Sequence, residues 1–136
     1  MSGRMKRAFM FAIFSIVLLY AGVSGATQKG GRWQLLGEQE VNFDNDHDRI
    51  DVKRNDGPFR ELRIEVRDAP IDIREMVVTF GDGKKFRPKI PARFREGHDS
   101  HVIDLPGNRR SIDGVEFVYR SIDRRQGKGK VLLYAR

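Results

Sequence analysis

The chain has 136 residues and a formal net charge of +7 at pH 7, with 33% charged and 39% hydrophobic residues. This composition excludes a wholly disordered protein, and the length suits one folded domain. The sequence contains no cysteine, which excludes disulfides, zinc–thiolate sites, a thiol nucleophile and a lipid-modified cysteine.

The first 26 residues have the features of a secretory signal peptide. A basic start in residues 1–7 precedes the uncharged, mostly apolar residues 8–21. Small residues at Ser24 and Ala26 fit the positions that signal peptidase reads. We therefore predict cleavage after Ala26 and a periplasmic or secreted bacterial protein that contacts the membrane only through this segment before cleavage. The alternative is an uncleaved membrane anchor.

Cleavage would leave residues 27–32 as a flexible spacer and residues 33–136 as one domain. Charge is uneven along this mature chain. Residues 27–83 carry thirteen acidic and nine basic residues, whereas residues 84–136 carry fourteen basic and six acidic ones. If the later strands share one end of the fold, the molecule has a basic side.

Runs of alternating apolar and polar residues, separated by turn residues, predict strands from the start of the domain. The first run covers residues 33–43 and is interrupted at Gly37, and a short strand follows around residues 50–52. In residues 61–67 apolar and charged residues alternate strictly. That pattern is typical of an antiparallel strand with one buried and one solvated face.

The next predicted strand, residues 71–80, changes phase near residues 74–75, which indicates a bend or bulge. Gly81-Asp82-Gly83 predicts a hairpin whose return strand stops at Pro88. Residues 89–100, which contain another proline and a glycine, are interpreted as a long connection.

Residues 101–105, 115–121 and 131–135 complete a set of eight strand candidates. Such a set predicts an all-β fold, a single antiparallel two-sheet sandwich of the jelly-roll type. The alternation within the strands points Phe117 and Tyr119 into the core. Trp33 and Tyr134 are the aromatic residues that could lie at the surface.

The segments VIDLPGNRR (residues 102–110) and VEFVYRS (residues 115–121) carry a family resemblance. Together with the segments around them, from residue 33 to residue 136, they resemble small secreted bacterial β-sandwich proteins classed as a domain of unknown function. The same stretch is similar to the later strands of discoidin or galactose-binding-like jelly rolls. These resemblances imply an architecture and a ligand-binding role, and they bring no site residues to this chain.

Basic residues in two loops form the predicted ligand-binding site. If both loops lie at one end of the sandwich, their side chains would attract phosphate, sulfate or carboxylate groups. For an exported protein, the partner is then an anionic envelope component or a polysaccharide, and no intracellular nucleic acid is expected. The six residues are Arg109, Arg110, Arg124, Arg125, Lys128 and Lys130. The alternative is a solubilising surface that protects a sheet edge.

The acidic stretch at residues 44–48 alternates oxygen-bearing side chains, as a calcium-binding loop does, although the same residue types also form ordinary turns. The candidate calcium ligands are Asp44, Asp46 and Asp48. His98 and His101 could share a metal only with a third ligand, and their spacing is more typical of surface residues.

No catalytic set can be assembled from the sequence. Glu61 and Glu65 share one strand face, as a pair of glycosidase carboxylates could. Arg63 between them and Arg67 after them indicate instead a solvated face of ion pairs.

The sequence therefore predicts a non-enzymatic binding module with no cofactor apart from the candidate calcium ion. A structural protein that pairs with a partner through a sheet edge is the alternative, suggested by the strand at residues 131–135 close to the carboxyl terminus. A hydrolase ranks third.

Overall fold

The structure is a computed structural model and describes residues 31–53, 56–97 and 100–136. Trp33–Arg136 forms one compact unit. The predicted signal peptide and most of the predicted spacer lie outside the described residues, so cleavage and export stay predictions. In the described part of the chain, no helix is long and apolar enough to cross a membrane.

Nine strands in two antiparallel sheets make up the regular structure of the described residues. They are β1 (Gln34–Glu40), β2 (Asp46–Asp51), β3 (Glu61–Arg67), β4 (Ile71–Phe80), β5 (Lys85–Phe86), β6 (Arg93–Phe94), β7 (Ser100–Asp104), β8 (Ile112–Ser121) and β9 (Lys130–Ala135). The first sheet has the strand order β1-β9-β3-β7. The second has the order β2-β8-β4-β5, and the short β6 also pairs with β4.

This strand order is that of a jelly roll. Consecutive strands change sheet at every connection except those joining β4, β5 and β6. The last two long strands return beside the first two, with β9 next to β1 and β8 next to β2. The predicted all-β, two-sheet jelly roll is confirmed.

The core lies between the sheets and is built from the apolar positions of the alternating runs. Leu62, Ile64 and Val66 of β3 are buried, while the charged residues between them face outward. Phe117 and Tyr119 are completely buried, as the alternation predicts, and their rings stack with centroids 5.4 Å apart. Two-residue periodicity therefore predicted which side chains form this core.

The pairing register confirms one predicted irregularity and shows another. It shifts between Ile73 and Glu75 of β4, where the change of phase predicts a bulge. It also shifts between Leu35 and Gly37 of β1. Because a bulge adds a residue to one strand, it lets that strand keep its apolar side chains on the core side despite a broken alternation.

Three local expectations differ from the structure. Residues 89–100 contain the short strand β6, because the buried Phe94 pairs with Ile71 of β4. The acidic stretch is a loop only as far as Asn45, since β2 begins at Asp46. The strand at residues 131–135 is not a sheet edge, because β9 is hydrogen-bonded to β1 on one side and to β3 on the other.

A buried serine links the two sheets. The Ser121 hydroxyl at the end of β8 donates to the carbonyl oxygen of Val41 over 2.7 Å and accepts from the Gly129 backbone N–H over 2.8 Å. Ser121 is 2% exposed, so its hydroxyl satisfies two backbone groups that water cannot reach. The connection after β1 and the loop before β9 are thereby held to the second sheet.

We expect Ser121→Ala to lower the free energy of unfolding by about 1–3 kcal/mol, because a buried N–H and a buried carbonyl lose a partner. Urea denaturation measures the change. Ser111→Ala, at an exposed serine, is the matched control and should have little effect. Equal stability of the two variants would show that the buried hydroxyl does not hold the sheets together.

Candidate functional site

The two predicted basic loops lie at opposite ends of the sandwich. Arg109 and Arg110 come just before β8, whereas Arg124 and Arg125 come just after it. A strand of ten residues holds the loops about 30 Å apart. The condition for a single basic patch, that both loops share one end, is therefore not met.

At the first end, Arg109 and Arg110 line an open cleft of about 470 Å³. The Arg110 guanidinium lies 3.8 Å from the centre of the Phe80 ring, and its Nη2 is 3.4 Å from an Asp82 carboxylate oxygen. Arg109 donates to the Pro58 carbonyl oxygen over 3.3 Å. Both arginines thus hold loops in place, and an aspartate offsets part of their charge.

At the other end, three of the four remaining basic residues contact an aromatic ring or a carboxylate. Arg124 lies 4.5 Å from the centre of the Phe43 ring, with the exposed Arg125 beside it in the chain. Lys128 and Lys130 lie 3.8 and 3.9 Å from glutamate carboxylates of β1. The charge of the six predicted residues is therefore divided between two ends of the sandwich and partly neutralised at each.

The predicted calcium ligands do not form a loop around a common point. Asp46 and Asp48 lie on β2, where Asp46 accepts from the Asn42 backbone N–H over 3.1 Å. Asp48 accepts from the Tyr119 hydroxyl over 2.9 Å. In residues 31–53, 56–97 and 100–136, no group of three or more acidic or histidine side chains could hold a metal ion. His98 lies outside the described residues.

The hydrogen bond between Tyr119 and Asp48 has an electrostatic consequence. Burial raises the pKa of the Tyr119 phenol far above its ordinary value of 10.0, and the bond to the Asp48 carboxylate raises it further. Both effects favour the neutral phenol, which can donate to a carboxylate. The Tyr119 hydroxyl therefore stays a donor over the whole physiological pH range.

A cluster of aromatic and arginine side chains covers part of the outer face of the first sheet. The Arg63 guanidinium lies 4.7 Å from the centre of the Trp33 ring and 4.6 Å from that of the Tyr134 ring. The Arg136 guanidinium lies 4.4 Å from the Trp33 ring centre. We call Trp33, Arg63, Tyr134 and Arg136 the stacked face. Both aromatic residues are partly exposed.

Two glutamates hold the arginines of the stacked face. A Glu65 carboxylate oxygen is 2.7 Å from Nη2 of Arg63, and a Glu61 oxygen is 2.8 Å from Nε of Arg136. Glu61 and Glu65 thus belong to the ion-paired outer face that the sequence indicates. Two positive and two negative side chains leave this part of the surface balanced in charge.

Packing around the stacked face buries one polar atom and one apolar side chain. The Nε of Arg63 is buried and has no hydrogen-bond acceptor among the described residues. The π faces of the two adjacent rings attract the guanidinium and offset part of that cost. Leu132, on the same side of β9 as Tyr134, is only 3% exposed, so long side chains of this face cover it.

Strand pairing connects the stacked face to residues at both edges of the first sheet. Leu35 of β1 lies opposite Tyr134, and Tyr134 lies opposite Arg63. Arg63 in turn lies opposite Val102 of β7. Alternation predicted that Trp33 and Tyr134 could be exposed, but it could not show that they share a surface with Arg63, because they belong to different parts of the chain.

A family model described as "Domain of unknown function (DUF2541)" matches residues 11–135, and none of the curated proteins matches the sequence significantly. Among solved structures, AlgX of Pseudomonas aeruginosa is similar at 10% identity and a TM-score of 0.45, over 79% of this chain and 27% of that one. The SPBc2 prophage-derived protein YomS is similar at 13% identity and 0.43, over 76% and 90%. A variant of the family 29 carbohydrate-binding module CBM29-2 is similar at 12% and 0.38, over 78% and 92%.

We expect pH to affect stability through Tyr119. Its pKa is raised in the folded state, so its contribution is complete below the ordinary value of 10.0 and declines as pH rises above it. The free energy of unfolding should therefore fall more steeply with pH in the native protein than in Tyr119→Phe above about pH 10. Urea denaturation across this range measures both slopes, and parallel curves would contradict the assignment.

The stacked face can be followed through Trp33, the single tryptophan of the chain. We expect Arg63→Met to shift Trp33 emission to longer wavelength and to increase its quenching by acrylamide, because the ring loses a cation that packs against it. Arg67→Met is the matched control. Arg67 is also on β3 and contacts Glu65, at 3.6 Å, but its side chain is 57% exposed. An unchanged Trp33 spectrum in Arg63→Met would contradict the stacking.

Proposed function

The chain belongs to the family of the domain of unknown function DUF2541, and we propose that it is an exported, non-enzymatic module that binds carbohydrate through the stacked face. The observation that carries this proposal is the contact of Arg63 with both Trp33 and Tyr134, at 4.7 and 4.6 Å. The leader sequence supports export, so the ligand belongs to the cell envelope or the surroundings of the cell.

The side chains of the stacked face suit a sugar. Sugars offer C–H faces that pack on aromatic rings, and Trp33 and Tyr134 are both partly exposed. The hydroxyl groups of a sugar both donate and accept hydrogen bonds, so they can pair with guanidinium donors and with neighbouring carboxylate acceptors. The ion pairs with Glu61 and Glu65 fix the two arginines before any ligand arrives, so little side-chain freedom is lost on binding.

The charge distribution favours carbohydrate over a purely anionic ligand. An anion binds most strongly where several cations converge. The six basic residues are instead divided between two ends of the sandwich, and three of them have an acidic partner: Arg110, Lys128 and Lys130. On the stacked face, each arginine likewise has a glutamate. The sequence left an anionic and a saccharide ligand open, and the geometry supports the second.

The same ion pairs support a binding role without catalysis. Glycoside hydrolysis needs two carboxyl groups, one of which must be protonated to act as the acid. Arg136 holds Glu61 and Arg63 holds Glu65, so each carboxylate already has a cation as its partner. Neither is arranged as a proton donor.

The proposal is tested by screening the purified protein against immobilised glycans and then measuring the affinity of the binders by calorimetry. We expect Tyr134→Ala to weaken binding about tenfold, or about 1.4 kcal/mol, because a stacking surface is lost. The control is the double variant Arg109→Ala/Arg125→Ala, which removes one exposed arginine from each basic loop and should bind normally.

Salt separates this proposal from the anionic alternative. Binding at a charge-balanced face should change little between low and high ionic strength. Affinity that falls with salt and is lost in Arg109→Ala/Arg125→Ala would assign the ligand to the basic loops and contradict the proposal. Binding to no glycan would contradict it as well.

A further inference from the structure

Two residues of the stacked face and one residue on either side of it form a straight row across the first sheet. Leu35, Tyr134, Arg63 and Val102 are direct partners in consecutive strand pairs. Direct partners in a sheet point to the same face. Because neighbouring strands lie about 4.8 Å apart, the row runs about 14 Å from β1 to β7.

The two ends of this row are unusual in the molecule. Among the described residues, Leu35 and Val102 are the most exposed large hydrophobic residues, with 47% and 45% of their surface accessible to solvent. Single exposed apolar residues are common on protein surfaces. Here both lie in the same row and flank Tyr134 and Arg63 of the stacked face, which indicates one continuous contact surface.

The order of residues along the row points to the chemistry of its ligand. Tyr134 and Arg63 place an aromatic ring beside a guanidinium at the centre, and Leu35 and Val102 place apolar side chains at the two ends. The centre is also balanced in charge, because Glu65 pairs with Arg63. An extended sugar chain, with C–H faces and hydroxyl edges repeated along its length, fits both the length and the order of these residues.

We infer that the stacked face binds the interior of an extended, uncharged polysaccharide chain that lies across the strands, from Leu35 over Tyr134 and Arg63 to Val102. This inference rests on the proposed function and adds to it the charge, the length and the direction of the ligand. A chain in this direction contacts four strands, whereas a single sugar unit at the centre contacts neither Leu35 nor Val102.

The test is a length series. Linear neutral oligosaccharides of glucose, mannose, galactose and N-acetylglucosamine, from one to six units, are titrated into the purified protein and followed by calorimetry and Trp33 fluorescence. Their uronic-acid counterparts are titrated in parallel. We expect the affinity of the best neutral series to rise with length until a chain reaches both ends of the row, and to level off beyond that length.

Variants at the two ends locate the chain. We expect Leu35→Ala and Val102→Ala each to weaken the longer oligosaccharides by roughly fivefold, through loss of apolar contact, and to leave disaccharide binding unchanged. Val118→Ala, the same valine change on the outer face of the second sheet, is the matched control and should bind every length normally. Thermal unfolding of each variant confirms that it is folded.

The outcomes distinguish this inference from the proposed function. A disaccharide that binds as tightly as a hexasaccharide, a preference for the uronic-acid series, or normal long-chain binding by Leu35→Ala and Val102→Ala would overturn the inference and leave a sugar-binding module in place. Absence of binding to every oligosaccharide would overturn both.

Discussion

The first sheet is organised around β9, which is one of its inner strands. The last strand of the chain lies between the first and the third, hydrogen-bonded to both. Its alternation sends Val131, Leu133 and Ala135 into the core and points Leu132 and Tyr134 outward. One strand therefore closes the first sheet, contributes to the core and supplies the centre of the stacked face. The core and the stacked face therefore both depend on the pairing of β9.

The two outer faces accommodate a central arginine in different ways. On the second sheet, Arg49 lies against Gly114, where a Cβ atom would come within 2.4 Å of the guanidinium. Its guanidinium bonds to Asp51 and Asp113 and also approaches Glu116. The hydrogen bond to Asp51 raises the pKa of Arg49. Carboxylates surround this arginine.

On the first sheet, Arg63 has one strong carboxylate partner and two aromatic rings instead. Rings attract a guanidinium without occupying its hydrogen-bonding edge, whereas carboxylates occupy it. The outer face of the first sheet therefore places aromatic rings next to its arginine, whereas the outer face of the second sheet surrounds its arginine with carboxylates.

Much of this architecture could be predicted because the buried face of a strand is visible in the alternation of its own residues. Alternation alone identified the β3 core residues, the inward Phe117 and the bulge in β4, since each depends only on neighbours in the chain. The strand β6 could not be predicted in this way. Two residues between Pro91 and Gly97 carry no periodicity, and Phe94 becomes a strand residue only because it pairs with β4.

Composition and two-residue periodicity are properties of the chain, so the all-β class, the jelly-roll type of sandwich, the inward residues and the absence of cysteine chemistry could be derived from the sequence. The surfaces arise from the tertiary structure. It separated the basic loops by the length of β8 and joined Trp33, Arg63 and Tyr134 across three segments of the chain. Strand order and register are fixed by pairing between segments that are distant in the chain. The alternation of residues in a strand therefore indicates which face a side chain points to, but it does not indicate which side chains of other strands lie next to it.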